Sequence, residues 1–308
     1  MDAAVFAALI QLSMDPTIQS SLRPVCAITG SNGYVGGCLK SYFAALGWGI
    51  LELTRQPKPG TPGIPFRLGA DLPPPSLAGV TALVHCAYDF KPLRRDEIRA
   101  VNVEGTRKLF AAARAAKIER IICISSISAY EGCRSLYGQA KLEIERIALD
   151  RGALVIRPGL VYGQGPGGMF GKLVQQIRRS SFIPLIGDGS QIQFLVDQED
   201  LADFSARYAG GEVKIPPQIL TAANEQPWPF KQLLMEIARW LDKKPRFIPL
   251  PWRLVWAGLK SAETCGLRLN FRSDSLVSLM YQNPSPDFSG NARVGLNCRP
   301  FQVEKLRI

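Results

Sequence analysis

Short runs of apolar residues recur through the first half of the chain, and a stretch with helical periodicity follows most of them. Apolar runs without polar alternation are typical of strands that are buried on both faces of a sheet. Six segments have this character: PVCAIT at 24–29, GILELT at 49–54, a short strand near 64–68, ALVHCA at 82–87, IICISS at 121–126 and ALVIRP at 153–158.

Helices are expected between these strands, from about residue 34 to 46, from 96 to 117 and over 137–150. Strands that alternate with helices at this spacing form βαβ units, which produce a parallel sheet. We therefore predict an α/β fold with a Rossmann-type doubly wound parallel sheet, covered by helices on both faces.

A glycine-rich turn, TGSNGYVG at 29–36, joins the first predicted strand to the first predicted helix. In such a turn Gly30 lets the chain turn tightly, Gly33 lets the backbone approach a pyrophosphate, and Gly36 lets the helix pack on the strand. The helix N-terminus then offers free N–H groups and a positive dipole end to phosphates. We predict that a dinucleotide binds here, and the predicted contacts are Gly30, Asn32, Gly33, Tyr34, Val35 and Gly36.

The second strand ends in LELTRQ, with Arg55 after its tip and no acidic residue there. NAD-binding proteins often place a carboxylate at this position for the ribose hydroxyls, whereas NADP-binding proteins use a basic residue. Glu52 lies inside the strand and is expected to point elsewhere. The sequence therefore favours NADP over NAD, with Arg55 as a cofactor contact.

Tyr137 and Lys141 stand four residues apart on a predicted helix, so both lie on one face of it. An ammonium group near a phenol favours the phenolate, which suits the phenol to exchange a proton with an alcohol or a ketone. Hydride transfer to or from a nicotinamide would accompany that proton. A serine after the preceding strand, Ser126 or its neighbour Ser125, can hydrogen-bond the substrate oxygen, because that strand end faces the ligand crevice.

The pattern loosens after the sixth strand, and short helical and strand-like segments rich in Pro and Trp alternate to the end of the chain. We predict an NAD(P)-binding Rossmann domain at 23–160, to which later segments near 190–205 return. A smaller C-terminal α/β substrate lobe is expected to consist mainly of 161–308. Residues 1–22 are expected to form an extension that precedes the fold.

The composition is that of a folded domain, with 46% hydrophobic and 20% charged residues among 308, which excludes a disordered chain. No apolar run is long enough to span a membrane. The net charge of +11 suits an anionic ligand. Basic residues are scattered, so we expect no nucleic-acid partner. The apolar and basic stretch WRLVWAGLK at 252–260 leaves a peripheral membrane contact open, without further support.

The seven cysteines are odd in number and include no CxxC pair, which argues against a disulfide framework and against a zinc site. We expect reduced thiols, a cytoplasmic location and no bound metal. The one histidine, His85, lies inside a predicted central strand and is expected to be buried and hydrogen-bonded.

Taken together, the motifs resemble those of the extended short-chain dehydrogenase/reductase family, also called the NAD(P)-dependent epimerase/dehydratase family. The resemblance covers about residues 24–205. The motifs that carry it are TGSNGYVG at 29–36, LVHCA at 83–87, NVEGT at 102–106, ISS at 124–126, YGQAK at 137–141, RPGLVYG at 157–163 and GDGSQ at 187–191.

The resemblance implies a role for each matching residue. Tyr137 would be the acid/base, Lys141 would assist it and bind the cofactor ribose, and Ser126, with Ser125 as the alternative, would contact the substrate oxygen. Further residues are implied as cofactor contacts: Asp71 and Leu72 near the adenine, Cys86, Ala87 and Tyr88 after the fourth strand, and Pro158 near the nicotinamide. The resemblance also implies a homodimer that pairs the helices at 96–117 and 137–150.

Hydride transfer with a Ser-Tyr-Lys site is therefore the predicted chemistry, as an NAD(P)-dependent oxidoreductase or epimerase. The predicted substrate is a hydroxyl or keto carbon of a nucleotide sugar. One departure opens an alternative: Gln193 stands where nucleotide-sugar enzymes of this family commonly have an arginine for the diphosphate, so a steroid- or flavonoid-like ketone is also considered. A catalytically idle cofactor-binding scaffold is the alternative from another class.

Overall fold

The computed structural model of the protein describes residues 23–165, 167–216, 218–267, 269 and 271–306. The predicted extension at 1–22 lies outside the described residues. A seven-stranded sheet forms the centre of the molecule, and all its pairings are parallel. Its strands are β1 (Val25–Thr29), β2 (Gly49–Thr54), β3 (Gly63–Pro65), β4 (Ala82–His85), β5 (Arg120–Ile124), β6 (Leu154–Pro158) and β11 (Ile219–Ala222).

The strand order β11-β6-β5-β4-β1-β2-β3 confirms the predicted doubly wound sheet. The order reverses between β1 and β4, and this is the point at which ligands bind in such sheets. The seventh strand, β11, has no counterpart in the sequence prediction. It pairs with β6, from Ile219 opposite Val155 to Ala222 opposite Pro158, and extends the sheet with a segment from the second half of the chain.

Helices cover the sheet and build the smaller lobe. Their bounds are α1 (Tyr34–Ala45), α2 (Arg95–Ile98), α3 (Glu104–Ala115), α4 (Leu136–Asp150), α5 (Gly168–Arg179), α6 (Gln198–Ala209), α7 (Phe230–Trp240), α8 (Trp252–Thr264) and α9 (Ser273–Met280). A π-helical turn, Arg99–Val103, joins α2 to α3 into one continuous helix.

One face of the sheet is covered by α1 and α6, which contribute Phe43 and Phe204 to a core that the strands complete. The C-terminal segment returns to this layer. Leu296 is buried in the same core, and Asn291 donates a hydrogen bond to the carbonyl oxygen of Thr221 in β11. The layer is therefore assembled from three distant parts of the chain.

The opposite face is covered by α3 and α4, which contribute Phe110 and Ile144 to a second core. Apolar strand residues alternate between the two cores: Ala27 and Val155 face α3 and α4, whereas Ile28 and Ile156 face α1 and α6. This double burial is why the strands lack polar alternation.

The smaller lobe has a core of its own, in which Phe170 and Ile177 of α5 meet Leu233 and Ile237 of α7. Three short strand pairs support it: β7 (Leu160–Tyr162) with β10 (Leu195–Asp197), β8 (Phe182–Ile186) with β13 (Arg246–Leu250), and β9 (Ile192–Gln193) with β12 (Trp228–Pro229). Helix α8, which carries the apolar and basic stretch at 252–260, has no fully buried residue. None of the described helices combines the length and apolar character needed to cross a membrane.

Candidate active site

The glycine-rich turn is as tight as its sequence predicts. Gly30 has φ +69°, and a Cβ there would lie 2.9 Å from the amide nitrogen of Ala87. A Cβ at Gly36 would lie 2.3 Å from the carbonyl oxygen of Gly30, so only glycine lets α1 start so close to the turn. No side chain caps α1 at its N-cap residue, Gly33. The turn therefore leaves a cradle and free N–H donors that fit a pyrophosphate.

Tyr34, the first residue of α1, packs against a loop of the smaller lobe. A Cβ at Gly167 or Gly168 would lie 2.5 or 2.6 Å from the Tyr34 ring, so both glycines let that loop lie flat on the ring. Val35 packs against the core below. The structure thus brings the predicted residues of the turn together at the carboxyl edge of the sheet, with the smaller lobe beside them.

The tip of β2 carries a hydroxyl where NAD-binding proteins often have a carboxylate. Thr54 is buried, its Oγ1 lies 3.5 Å from Asn32 Nδ2 of the glycine-rich turn, and Arg55 beside it is exposed. Glu52 points to the same side but is occupied, because it accepts a hydrogen bond of 2.6 Å from Ser31 Oγ and pairs with Lys40 at 3.3 Å. No free carboxylate therefore faces this end of the cradle among the described residues.

The two residues predicted near the adenine lie in different surroundings. Leu72 is buried in the core under α3, whereas the Asp71 carboxylate is 89% exposed and pairs with Lys108 at 2.9 Å. Leu72 is therefore a core residue, and Asp71 is the more accessible of the two to a ligand.

His85 is part of a buried hydrogen-bond chain beneath the crevice. Thr106 Oγ1 donates to the Asn102 carbonyl oxygen at 2.7 Å, so it accepts from His85 Nε2 at 2.9 Å. His85 Nδ1 then accepts from Thr29 Oγ1 at 2.7 Å. Burial, and secondly the nearby Lys141 ammonium, lower the pKa of His85 to about 3, so the ring stays neutral. It is a structural residue, as the sequence suggests.

The same Thr29 hydroxyl fixes the chain that follows β4. Thr29 Oγ1 accepts hydrogen bonds from the amides of Cys86, at 3.1 Å, and Ala87, at 3.2 Å. Two of the three residues predicted to line the crevice after β4 are therefore held directly against the start of the glycine-rich turn.

The loop that follows is held by Asn102, in the π-helical turn. Its Oδ1 accepts from the Asp89 amide at 2.7 Å, and its Nδ2 donates to the Asp89 carbonyl oxygen at 3.1 Å. Tyr88 and Phe90, on either side of Asp89, both contact the Tyr137 ring, with centroids 5.0 and 5.6 Å from it. The amide clamp thus fixes an aromatic wall around Tyr137.

Tyr137 and Lys141 lie in the first turns of α4, on the side that faces this wall. Lys141 is buried, its Nζ donates to the Ile124 carbonyl oxygen at 2.8 Å, and it lies 5.3 Å from the Tyr88 ring centroid and 5.9 Å from that of Tyr137. Burial is the main cause that raises the pKa of Tyr88, so that phenol stays protonated. Tyr137, which is half-buried, is the phenol better placed to exchange protons with a ligand.

The two adjacent serines face different surroundings. Ser125 is buried, and its hydroxyl donates to Glu145, which also forms a two-pronged ion pair with Arg157 at 2.8 and 2.6 Å. Ser126 is half-buried, and its Oγ accepts from the amide of Ser128 at 3.1 Å. Ser126 is thus the more accessible hydroxyl, because Ser125 is committed to an internal network.

Pro158 and Gly159 lie at the far end of the crevice. The Pro158 carbonyl oxygen accepts from the amide of Ile127, which ties β6 to the chain after the serines. A Cβ at Gly159 would lie 2.2 Å from the carbonyl oxygen of Phe194 in the smaller lobe. Only glycine at 159 therefore leaves room for the Phe194 backbone to pack against the end of β6.

Gln193 lies in β9, opposite Trp228 of β12. Its Nε2 is buried and has no hydrogen-bond partner among the described residues. An arginine does not occupy this position, and the amide nitrogen, with its two N–H groups, is free to donate. Within the described ranges, no group of three or more His, Cys, Asp or Glu side chains is arranged to hold a metal ion.

Two residues that the sequence analysis missed also reach the site. Asp274, at the start of α9, accepts hydrogen bonds from the amides of Leu136 and Tyr137 at 2.7 and 3.0 Å. Arg272 donates to the Phe90 carbonyl oxygen at 2.8 Å. Neither belongs to a recognisable motif, and their separation in sequence from the residues they contact leaves no periodic signal.

Comparison with known proteins places these observations in a family. The model of the NAD dependent epimerase/dehydratase family matches residues 26–217. Ceramide reductase of Caulobacter vibrioides (strain NA1000 / CB15N) is 30% identical over 243 residues, which cover 74% of each chain. UDP-glucose 4-epimerase of Vibrio cholerae is 26% identical over 262 residues, which cover 74% of this chain and 78% of the epimerase.

The fold is shared with solved structures. MoeE5 in complex with UDP-glucose and NAD superposes with a TM-score of 0.70 at 19% identity, over 91% of this chain and 95% of that chain. At this identity the likeness concerns the fold.

Proposed function

This chain belongs to the NAD dependent epimerase/dehydratase family, and we propose that it is an NADP-dependent oxidoreductase that interconverts a ketone and an alcohol on a large apolar substrate. The substrate class rests on two observations: Gln193, with its buried neutral amide, stands in place of an arginine, and the aromatic rings of Tyr88 and Phe90 surround Tyr137.

Tyr137, Lys141 and Ser126 are the residues we assign to the chemistry. NADP, when bound, supplies or accepts the hydride at the substrate carbon. In reduction Tyr137 gives its phenolic proton to the substrate oxygen, and in oxidation it takes that proton back. Ser126 donates a hydrogen bond to the same oxygen. The buried Lys141 ammonium stabilises the negative charge that develops on the phenol.

The preference for NADP rests on the tip of β2. A 2′-phosphate there would meet the exposed Arg55 and the Thr54 hydroxyl, and no unpaired carboxylate in the described residues would repel it. Glu52 is the nearest acid on that side of the strand, and Lys40 balances its charge. A basic residue in this place is the usual partner of the 2′-phosphate.

The apolar substrate class is supported by the aromatic surroundings of Tyr137. The Phe90 ring stacks on Tyr137 with an interplanar angle of 26° and is 57% exposed, so it presents an apolar surface beside the reacting phenol. A charged sugar diphosphate would need a cation in the cleft, whereas Gln193 offers one neutral donor. The ceramide reductase relative, which is named for a lipid, agrees with this class.

A nucleotide sugar is the second candidate. It is favoured by the UDP-glucose 4-epimerase relative and by the neighbour solved with UDP-glucose and NAD. In that case the substrate would be a hydroxyl or keto carbon of the sugar, and the outcome would be epimerisation or reduction. Another basic residue would then have to hold the diphosphate.

A substrate panel with a mass-spectrometric readout tests the proposal. Purified protein would be incubated with an N-acylated ketosphingoid base, a 3-ketosteroid, UDP-glucose and a UDP-4-keto sugar, each with NADPH or NADH. We expect a gain of two hydrogens in a lipid-like ketone, with NADPH consumed faster than NADH. Conversion of UDP-glucose to an isomer of equal mass, separated by chromatography before mass detection and with no net cofactor consumption, would overturn the apolar class.

A pair of variants sharpens the same experiment. Gln193→Arg introduces the missing cation, and we expect it to lower turnover of the apolar ketone without improving turnover of a UDP-sugar. Gln226→Arg adds the same charge at an exposed loop position and serves as the control. Turnover of a UDP-sugar only in Gln193→Arg would mean that this position alone separates the two substrate classes.

The idle scaffold, the homodimer and the membrane contact through 252–260 stay predictions. The scaffold would be favoured by NADP binding without turnover of any substrate on the panel. Light scattering of the protein as it elutes from a size-exclusion column would measure its mass in solution and so test the homodimer. Co-flotation with vesicles that contain anionic lipid would test the membrane contact.

A further inference from the structure

The start of α9 touches the two segments that surround Tyr137. Residues 272–274, which we name the α9 clasp, join the smaller lobe to both. Asp274 accepts hydrogen bonds from the amides of Leu136, at 2.7 Å, and of Tyr137, at 3.0 Å. Arg272 donates to the carbonyl oxygens of Phe90, at 2.8 Å, and Pro92, at 3.1 Å.

Asp274 completes a helix start that the local sequence leaves unfinished. The first turn of α4 contains no acidic residue, and Ser135 accepts from a single amide, that of Gly138. The first four amides of a helix have no partner within it. The Asp274 carboxylate supplies acceptors for two of them from a residue 137 positions further along the chain, and its charge opposes the positive helix end.

Arg272 holds the other side of Tyr137. Its two NH groups span the carbonyls of the loop on which Phe90 stacks against the Tyr137 ring. Asn102 holds the same loop at Asp89 from the dinucleotide-binding domain. The loop is therefore fixed from both lobes, and Arg272 is the contact that depends on the smaller lobe.

The clasp is itself anchored, so it acts as a fixed part of the smaller lobe. Glu263 of α8 accepts hydrogen bonds from the Ser273 amide, at 2.8 Å, and from its hydroxyl, at 2.6 Å. Further along α9, Ser278 donates to Ser128 in the chain that follows β5. Movement of the smaller lobe against the sheet would thus displace the α4 start and the Phe90 loop together.

We propose that Arg272 and Asp274 are positioning residues, which set the Tyr137 phenol against the substrate oxygen by fixing the backbone of Tyr137 and the loop that packs on its ring. This rests on the proposed role of Tyr137 in proton transfer. Neither residue touches the reacting atoms, so each acts on the rate through Tyr137. A reacting group must be held within a few tenths of an ångström, which makes such contacts matter for turnover more than for cofactor binding.

The test compares three variants at Asp274 and Arg272 with a matched control. Asp274→Asn keeps one acceptor oxygen, and Asp274→Ala removes both. Arg272→Lys keeps the positive charge but loses the guanidinium group, whose two NH groups contact the Phe90 and Pro92 carbonyls. Asp287→Ala removes another aspartate from the second half of the chain, one that is exposed and accepts hydrogen bonds from Ser289, two residues further on. NADPH binding, monitored through the fluorescence of NADPH, measures the folded fraction of each variant.

Hydrogen exchange gives the first readout and needs no substrate. We expect the amides at 136–137 to exchange about tenfold faster in Asp274→Ala, with an intermediate rate in Asp274→Asn and no change in Asp287→Ala. Unchanged exchange at these amides in Asp274→Ala would overturn the proposed contact.

Turnover of the panel ketone that is reduced fastest gives the second readout. We expect kcat to fall roughly 10- to 100-fold in Asp274→Ala, with partial recovery in Asp274→Asn, and by about threefold or more in Arg272→Lys, with an NADPH Kd within twofold of wild type in all three. A kcat within twofold of wild type in well-folded Asp274→Ala would overturn the positioning role. Full activity of Tyr137→Phe would instead refute the proposed function, so the two failures are distinguishable.

Discussion

Two helices start at the carboxyl edge of the same sheet, and they differ in whether the protein itself supplies hydrogen-bond acceptors for the amides of their first turns. Helix α1 begins at Gly33-Tyr34 with no side-chain cap and no acid in its first turn. Helix α4 begins at Leu136 with Ser135 as its N-cap and with the Asp274 carboxylate on two more amides. One positive helix end is open to an external anion, and the other is closed by the protein's own carboxylate.

Under the proposed function, the difference separates cofactor binding from chemistry. An open helix start beside a glycine cradle gains its stabilisation when a phosphate arrives, so it suits a cofactor that must bind and leave. A closed start gains its stabilisation on folding, so it suits a helix whose first residues, Tyr137 among them, must keep one position. The four changes below perturb these two regions or the His85 chain that connects them.

Tyr137→Phe is expected to have the largest effect on turnover, because it removes the phenolic hydroxyl and little else. We expect kcat to fall by about 10³-fold, within the range found for loss of a general acid or base, while NADPH binding stays within twofold. Steady-state kinetics with the ketone that the enzyme reduces fastest would measure this. Tyr88→Phe removes the neighbouring phenol, and equal losses in both variants would contradict the assignment of Tyr137.

Gly36→Ala tests the open helix start. Its Cβ would lie 2.3 Å from the Gly30 carbonyl oxygen, so the turn must open, and we expect NADPH to bind at least about 100-fold more weakly. Gly37→Ala is the matched control on the same helix, since its Cβ would have an ordinary 3.4 Å contact with the Ser31 carbonyl oxygen. Calorimetric titration with NADPH would measure the affinity of both variants. Equal affinities would show that the tight approach is unnecessary.

His85 connects the two regions, because its chain runs from Thr29 before the turn to Asn102 behind the Phe90 loop. Its pKa is about 3 in the folded protein and 6.5 without perturbation, so between these values the unfolded state binds a proton that the folded state does not. Stability from this group is present above pH 6.5 and falls by about 1.4 kcal/mol per pH unit on acidification to pH 3.

Nuclear magnetic resonance can observe this histidine directly. The chain has one histidine, so its ring signals are unambiguous in protein freed of any tag. We expect a neutral ring protonated at Nε2, with no titration between pH 5 and 8. A midpoint near 6.5 would show that the chain from Thr29 to Asn102 is not held as described.

Arg55→Ala is expected to have the smallest effect, and that effect is limited to the affinity for the cofactor. Loss of one exposed cation from a phosphate site should weaken NADPH by about tenfold and leave NADH unchanged. Arg151→Ala removes an exposed arginine just after the end of α4 and serves as the control. If both cofactors weakened equally, Arg55 would not read the 2′-phosphate.

Local patterns were enough to predict the sheet and the tight glycine-rich turn. The central strands β1, β4, β5 and β6 are visible as apolar runs, because burial on both faces removes polar alternation. Strands β2 and β3 were also predicted, although they lie toward the sheet edge and are less buried. Gly30 and Gly36 are visible because their spacing has a steric reason that the structure reproduces. Both features depend on residues close in sequence, so one sequence contains the information.

Long-range contacts could not be predicted in this way. Strand β11 is four residues long and lies in the second half of the chain, where the regular alternation of strands and helices has ended, so the sequence pattern did not predict it. The serines could not be ranked, because the commitment of Ser125 to Glu145 depends on a helix packed across the strand. Asp274 reaches Tyr137 across 137 positions, and nothing near either residue predicts that pair.

The return of the C-terminal segment to the first layer has a consequence for biosynthesis. A ribosome delivers the chain from its amino end, and domains tend to fold as they emerge. Here β11 and the buried Leu296 are among the later parts to be made, yet they complete the layer that begins with β1 and α1. The nascent protein must therefore keep part of this apolar face uncovered until residue 296 has been translated, and a chain that stopped before β11 would expose that face.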